Sequence, residues 1–129
     1  MEFTVESKKK DDFVDITAQI QDAVRDSKVK DGVCVVFVPH TTAAIAVNEN
    51  ADPDVRSDIK FALNTIVTDP GFKHAEGNAS GHVKSTIIGC SASFVVEGSK
   101  LRLGSWQGIF LCDFDGPRTR KVWVKVVPS

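Results

Sequence analysis

Three histidines stand where an imidazole can be put to use. His40 closes an apolar run in Pro39-His40-Thr41-Thr42, His74 lies among the small and polar residues of Phe72-Lys73-His74-Ala75-Glu76-Gly77-Asn78, and His82 opens the next element in Gly81-His82-Val83-Lys84-Ser85. Strand ends and loops are where a rigid scaffold displays reactive groups. Three neutral imidazoles with an open fourth position make a Lewis-acid or water-activating metal centre, provided they converge in space. The competing reading keeps His74 as a solvated loop side chain and His40 as a partner for nearby backbone.

Other residue sets carry chemistry of their own. Asn48-Glu49-Asn50 collects amides and a carboxylate at an element end, and Glu49 there could act as general base, partner an imidazole, ligate a metal, or only complete a polar turn. Gly104-Ser105-Trp106-Gln107-Gly108 puts an indole and an amide between glycines, so Trp106 either walls a pocket or packs in a core. Arg118 and Arg120 alternate on one face of an emerging strand, where planar, forked guanidinium groups suit phosphate or carboxylate. Charge defence of a strand edge, or an ion pair between subunits, would use the same two residues. Cys34, Cys90 and Cys112 have no adjacent histidine and read as packed thiols.

A chain of 129 residues with 42% hydrophobic side chains supports one domain, residues 1–129, around one core without staples. Sixteen basic against 17 acidic residues leave a net charge of -1, which supplies no overall field for nucleic acid or an anionic membrane. No window approaches the ~18 apolar residues of a membrane span. An odd cysteine count without a C-x-x-C pair indicates neither a disulfide framework nor a thiolate zinc finger and fits a reducing, cytoplasmic setting.

The elements that must position these groups follow from periodicity. Phe3 and Val5 alternate as in a half-buried strand that the charged run Lys8 to Asp12 closes, and Ile16, Ile20, Ala23 and Val24 recur at helical spacing from a Thr17 cap to about Ser27. The unbroken run from Val33 to Val38 predicts a strand covered on both faces, and Ala43 to Val47 a second. Asp52 before Pro53 starts a helix with Val55, Ile59, Ala62, Leu63 and Ile66 on one face. Thr68 to Gly81 reads as a long irregular loop, His82 to Ile87 as a short helix. The remainder predicts strands in Ser93–Val96, Leu101–Leu103, Ile109–Phe114 and Val122–Val127, and hence an α+β domain with a largely antiparallel or mixed sheet and two to three helices.

Taken in order, His40-Thr41-Thr42-Ala43, Asn48-Glu49, His74, Gly77-Asn78, His82-x-Lys84-Ser85, Gly104-x-Trp106-Gln107 and Gly116-Pro117-Arg118-x-Arg120 resemble the YjbQ-like family, also called the secondary thiamine-phosphate synthase family. The resemblance runs from Asp15 onward. It implies an α+β homotrimer that gathers His40, His74 and His82 into an active site, around a metal ion or an anion. It also implies the joining of a pyrimidine diphosphate to a thiazole phosphate with release of pyrophosphate. In that reading His40, Glu49, His74 and His82 are catalytic, and Thr41, Thr42, Asn48, Asn78, Lys84, Trp106, Gln107, Arg118 and Arg120 hold substrate. Displacing pyrophosphate calls for cationic groups and a divalent cation. Arg118, Arg120 and Lys84 would meet phosphate, Glu49, Asp113 and Asp115 are the carboxylates for magnesium, and the histidines suit zinc better. A metal-assisted hydrolase and a non-enzymatic trimer that binds a small anionic ligand are the other readings of the same residues.

Overall fold

An alternating strand buries one face, whereas a strand apolar at every position must be covered twice; the chain contains both kinds and stacks them. The computed structural model describes residues 1–68, 71–73 and 77–129. Among these, the order is β1 (Glu2–Glu6), β2 (Asp12–Asp15), α1 (Thr17–Asp26), β3 (Gly32–Phe37), β4 (Ala43–Glu49), α2 (Pro53–Ile66), α3 (Ala79–Ile88), β5 (Ser91–Glu97), β6 (Lys100–Leu101), β7 (Gln107–Asp113) and β8 (Thr119–Pro128). One sheet runs β1-β8-β3-β5-β6 and the other β2-β7-β4, with every described pair antiparallel. This is the α+β single domain that the sequence predicts.

The two sheets share a core. Val36, Val122 and Val124 of the larger sheet meet Ile45, Ile109 and Leu111 of the smaller one, and Ile16, Ile20 and Val24 close it from α1. On the far face of the smaller sheet, Ala44, Phe110 and Cys112 pack with Phe13, Phe114 and Leu63. β4 and β7 are thus buried on both faces, which explains why their sequences are apolar without alternation.

β3 departs from its predicted double cover. Cys34 and Val36 are buried, but Val33, Val35 and Phe37 are 44%, 37% and 36% exposed, because among the described residues no layer lies over the outer face of the larger sheet. Within one chain its β-branched run therefore records strand preference, which a sheet surface satisfies without burial. Cys90 is likewise exposed, not packed, while burial pushes the Cys34 thiol up to about 11.

The helices start as their local chemistry dictates, with two corrections. Asp52 Oδ1 accepts the Asp54 amide at 2.9 Å with Pro53 in the first turn, as expected. The apolar face predicted for α2 is buried only at Leu63, whereas Ile66 is 72% exposed. α2 instead lays Arg56 and Lys60 over the Phe110 and Phe13 rings, at 5.3 and 5.7 Å from the centroids. Thr17 is the first residue of α1 and not its cap; its hydroxyl donates to Asp15 Oδ1 at 2.6 Å and accepts the Ile109 amide at 2.9 Å.

α3 begins at Ala79, so the irregular segment is shorter than predicted. Gly81 explains where this helix sits: a Cβ there would lie 2.9 Å from the Phe114 carbonyl and 3.4 Å from Thr42 Cγ2. In an open helix Gly→Ala stabilises by roughly 0.8–1 kcal/mol. Gly81→Ala is expected to destabilise this protein instead, lowering the urea midpoint at unchanged denaturant slope, because backbone would have to yield.

Candidate functional site

β7 and β8 belong to different sheets, and a buried ion pair ties the end of one to the start of the other. Asp113 is fully buried and Arg120 is 4% exposed. Arg120 donates from Nη2 to Asp113 Oδ1 at 2.7 Å and from Nε to Oδ2 at 3.0 Å, the forked arrangement that guanidinium geometry favours. Ser7 Oγ donates to Oδ2 at 2.6 Å and the Asp115 amide donates to Oδ1 at 2.9 Å, so the carboxylate accepts four hydrogen bonds. Arg120 Nη2 also donates to Thr42 Oγ1 at 2.8 Å, which brings the head of β4 into the network. Burial pushes the Asp113 carboxyl up, and the Arg120, Ser7 and Asp115 hydrogen bonds outweigh it, leaving the group below the usual carboxylate range.

The turn that follows Asp113 is pinned by the same residues. Ser7 Oγ accepts the Arg118 amide at 2.8 Å, and a Cβ on Gly116 would meet the Lys9 carbonyl and sit 2.6 Å from Ser7 Oγ. Only glycine lets this turn approach the chain so closely. Arg118 then folds back on Asp115, donating from Nη2 to Oδ2 at 2.7 Å and from Nε to the Asp115 carbonyl at 2.8 Å, while its side chain stays 53% exposed. Asp115 Oδ2 also accepts Asn78 Nδ2 at 2.8 Å, which leaves Asn78 Oδ1 buried without a donor.

Over this network opens a polar cleft of about 450 Å³, lined by Pro39, His40, Thr41, Thr42, Asn78, His82, Asp115, Arg118 and Arg120. His40 is held by an unusual contact: the Lys121 backbone amide donates to its Nε2 at 2.8 Å. Burial, then the charge of Arg120, with Lys121 and Arg118, holds the His40 pKa below its ordinary value against the opposing pull of Asp113. His82 comes from the first turns of α3 and reaches the same cleft, and Thr41 supplies an exposed hydroxyl.

The remaining predicted residues fall elsewhere. His74 lies outside the described residues, so the three-histidine set is placed only for His40 and His82. Lys84 is 2% exposed and does not line the cleft; its ammonium reaches Asn64 Oδ1 at 2.5 Å and Asp11 Oδ2 at 3.3 Å, strapping α3 to α2 and to the segment before β2. Arg120 spends its fork on Asp113, so it forms the cleft floor rather than a paired phosphate clamp with Arg118. Asn48, Glu49, Trp106 and Gln107 sit at the opposite end of β4, roughly 20 Å away along the strand at ~3.3 Å per residue. There Glu49 Oε2 accepts the Asp52 amide at 3.2 Å, Asn48 Oδ1 accepts the Glu49 amide at 2.8 Å, Gln107 Oε1 accepts the Gly104 amide at 2.8 Å, and Trp106 is 66% exposed, not packed in a core.

Among the described residues, no set of side chains is arranged to hold a resident metal. A neutral imidazole has one in-plane lone pair, and that of His40 is taken by the Lys121 amide. Both Asp113 oxygens are occupied, Asp115 Oδ2 accepts two donors, and no three His, Cys, Asp or Glu among the described residues group for metal binding. Sequence reading missed Ser7 altogether and named Asp113 and Asp115 only as metal carboxylates. A lone aspartate ending the apolar run of β7 is the signal that a buried cation must meet it.

The sequence matches the family described as UPF0047 protein YjbQ-like over residues 1–129. The chain belongs to this family. A UPF0047 protein of Methanocaldococcus jannaschii is 47% identical over 126 residues, covering 97% of this chain and 91% of that protein. The Bacillus subtilis protein YugU is 38% identical, covering 95% of each. An uncharacterized conserved YjbQ/UPF0047 protein from Clostridium acetobutylicum has a crystal structure that superposes with a TM-score of 0.96 at 47% identity, over 98% of this chain and 99% of that one. This YjbQ-like chain contains, among its described residues, no helix long and apolar enough to cross a membrane.

Removing one member of a buried pair strands the other, at a cost of about 3–5 kcal/mol. Asp113→Asn should lose stability on that scale in urea unfolding. Because the folded carboxyl titrates below its unfolded value, its contribution is complete above about pH 4 and is lost as pH falls through the folded pKa. The variant should therefore show a flatter acid limb than the parent.

Proposed function

We propose that the YjbQ-like chain is an enzyme acting on a small phosphorylated molecule in the His40/His82 cleft, and that the reaction is the one the family resemblance names, thiamine-phosphate formation. The observation that carries this reading is the mixed polarity of the cleft. Arg118, Thr41 and His40 present donors suited to phosphate oxygens, whereas the buried Asn78 Oδ1 is an acceptor that needs a donor. A phosphate alone satisfies only the first set. A phosphorylated molecule that also bears an amino or hydroxyl group satisfies both, and an aminopyrimidine diphosphate is of that class.

In this reaction a thiazole nitrogen forms a bond to the pyrimidine methylene carbon as the bond from that carbon to the diphosphate oxygen breaks, and pyrophosphate leaves with the electron pair. Donors already in place around the departing oxygens lower the barrier because they need not reorganise as charge develops. Magnesium would arrive with the diphosphate, since both Asp113 oxygens and Asp115 Oδ2 are engaged with protein donors.

Calorimetric titration with inorganic pyrophosphate, followed by turnover with the pyrimidine diphosphate, thiazole phosphate and magnesium, tests the reading. Arg118→Lys keeps the charge but loses the outer guanidinium donors that remain once Nε and Nη2 have met Asp115, so affinity should fall about tenfold with little change in stability. His82→Ala should slow turnover. Pyrophosphate binding without turnover would remove the synthase assignment, and absence of binding would remove the cleft as a phosphate site.

We also propose that the chain assembles as a homotrimer through the outer face of the larger sheet, where Val33, Val35, Phe37, Val95, Trp123 and Val127 are exposed together. An apolar surface of this kind on one protein face is commonly a contact between chains. Light scattering should report three times the 14.0 kDa chain mass, and Val95→Lys should lower it. A monomer in the parent would sink the proposal.

A further inference from the structure

We infer that His40 serves the cleft as a neutral hydrogen-bond donor through Nδ1, and acts there neither as a metal ligand nor as a general base. This rests on the reading of the cleft as a phosphate site and assigns one of its contacts.

The argument begins with the backbone. The β3–β8 ladder ends at the pair Phe37 and Trp123; beyond it Val38 gives its amide to the Cys90 carbonyl, in line with the β3–β5 register, and Pro39 follows. β8 continues, so the Lys121 amide faces the place where the next carbonyl of β3 would have stood. His40 fills that place with Nε2, at 2.8 Å. An amide can only donate, so Nε2 must be the unprotonated nitrogen, and a neutral ring then carries its proton on Nδ1.

The surroundings disfavour a second proton on the ring. Burial bears on it first, then the charge of Arg120 with Lys121 and Arg118, while Asp113 acts in the opposite sense and Asp115 and His82 line the same cleft. A ring held neutral with its lone pair committed to backbone has one remaining capacity, the Nδ1 proton. Such a donor suits an anion oxygen and cannot take up a proton or a zinc ion unless the Lys121 amide lets go.

Long-range proton–nitrogen correlation NMR on the protein with labelled histidine reads the tautomer directly. His40 should show a protonated Nδ1 and an unprotonated Nε2 across neutral pH, be unmoved by one equivalent of zinc, and shift at Nδ1 when inorganic pyrophosphate is added. Side-chain amides separate the two nitrogens. His40→Asn keeps an N–H near the position of Nδ1 and should hold pyrophosphate within about threefold of the parent, whereas His40→Gln, with its amide near Nε2, should lose about tenfold or more. Protonation at Nε2, a zinc-shifted ring, or the reverse order of the two variants would overturn the inference while leaving phosphate binding to stand. An intact Nδ1–H tautomer with no pyrophosphate binding in the parent would instead overturn the phosphate reading, and the donor role with it.

Discussion

The buried pair between Arg120 and Asp113 is the constraint on which the functional end of the molecule depends. Taking two charges out of water is expensive, and the cost is offset only when geometry and further hydrogen bonds satisfy what the pair leaves over. Here every demand is met: the guanidinium is forked on the carboxylate, and Ser7, the Asp115 amide and Thr42 complete the shell. Those partners come from the ends of β1, β4, β7 and β8, so the pair joins two sheets that otherwise touch through side chains with no directional preference. Apolar packing could hold the sheets together, but it would not specify how their ends are aligned.

That alignment propagates outward. With Asp113 held, the turn to Arg118 is pinned on Ser7, Arg118 closes on Asp115, and Asp115 orients the Asn78 amide at the head of α3. The orphaned Asn78 oxygen is therefore a consequence of the network and not a local accident. Lys84 makes the corresponding strap on the other side of α3, through Asp11 and Asn64, which keeps His82 against the strand ends. Charged side chains that look available in the sequence are largely consumed in building the cleft, and few remain to fill it.

The cleft lies where hydrogen-bonded ladders run out. A sheet end exposes amides and carbonyls without strand partners, and a side chain that satisfies one of them becomes fixed in orientation and tautomer. His40 is such a side chain. Its position beside a proline, which interrupts β3, gives a backbone reason for placing an imidazole there.

Local pattern determined a great deal. The capped start of α2, the apolar runs of β4 and β7, the late antiparallel strands and the α+β class all follow from spacing and residue type, because each depends on neighbours within a few positions. The family resemblance grouped His40, His74, His82, Asn78 and Arg118 with others as site residues, and of these His40, His82, Asn78 and Arg118 line one cleft. Tertiary structure alone decided how the long-range groups divide. Arg118 and Arg120 read alike in sequence, yet one is exposed and the other is buried on Asp113, since β8 begins only at Thr119: Arg118 stays in the preceding turn and folds back on Asp115, whereas Arg120 is carried by the strand to the carboxylate where the two sheets meet. Lys84 reads as a phosphate contact but is spent on Asp11, 73 positions away. Glu49 and Trp106 belong to the same motif set as His40 but stand at the far end of β4, because an extended strand separates residues that a short sequence distance brings together on paper. Burial, charge pairing and strand length act through space, and no spacing rule along the chain contains them.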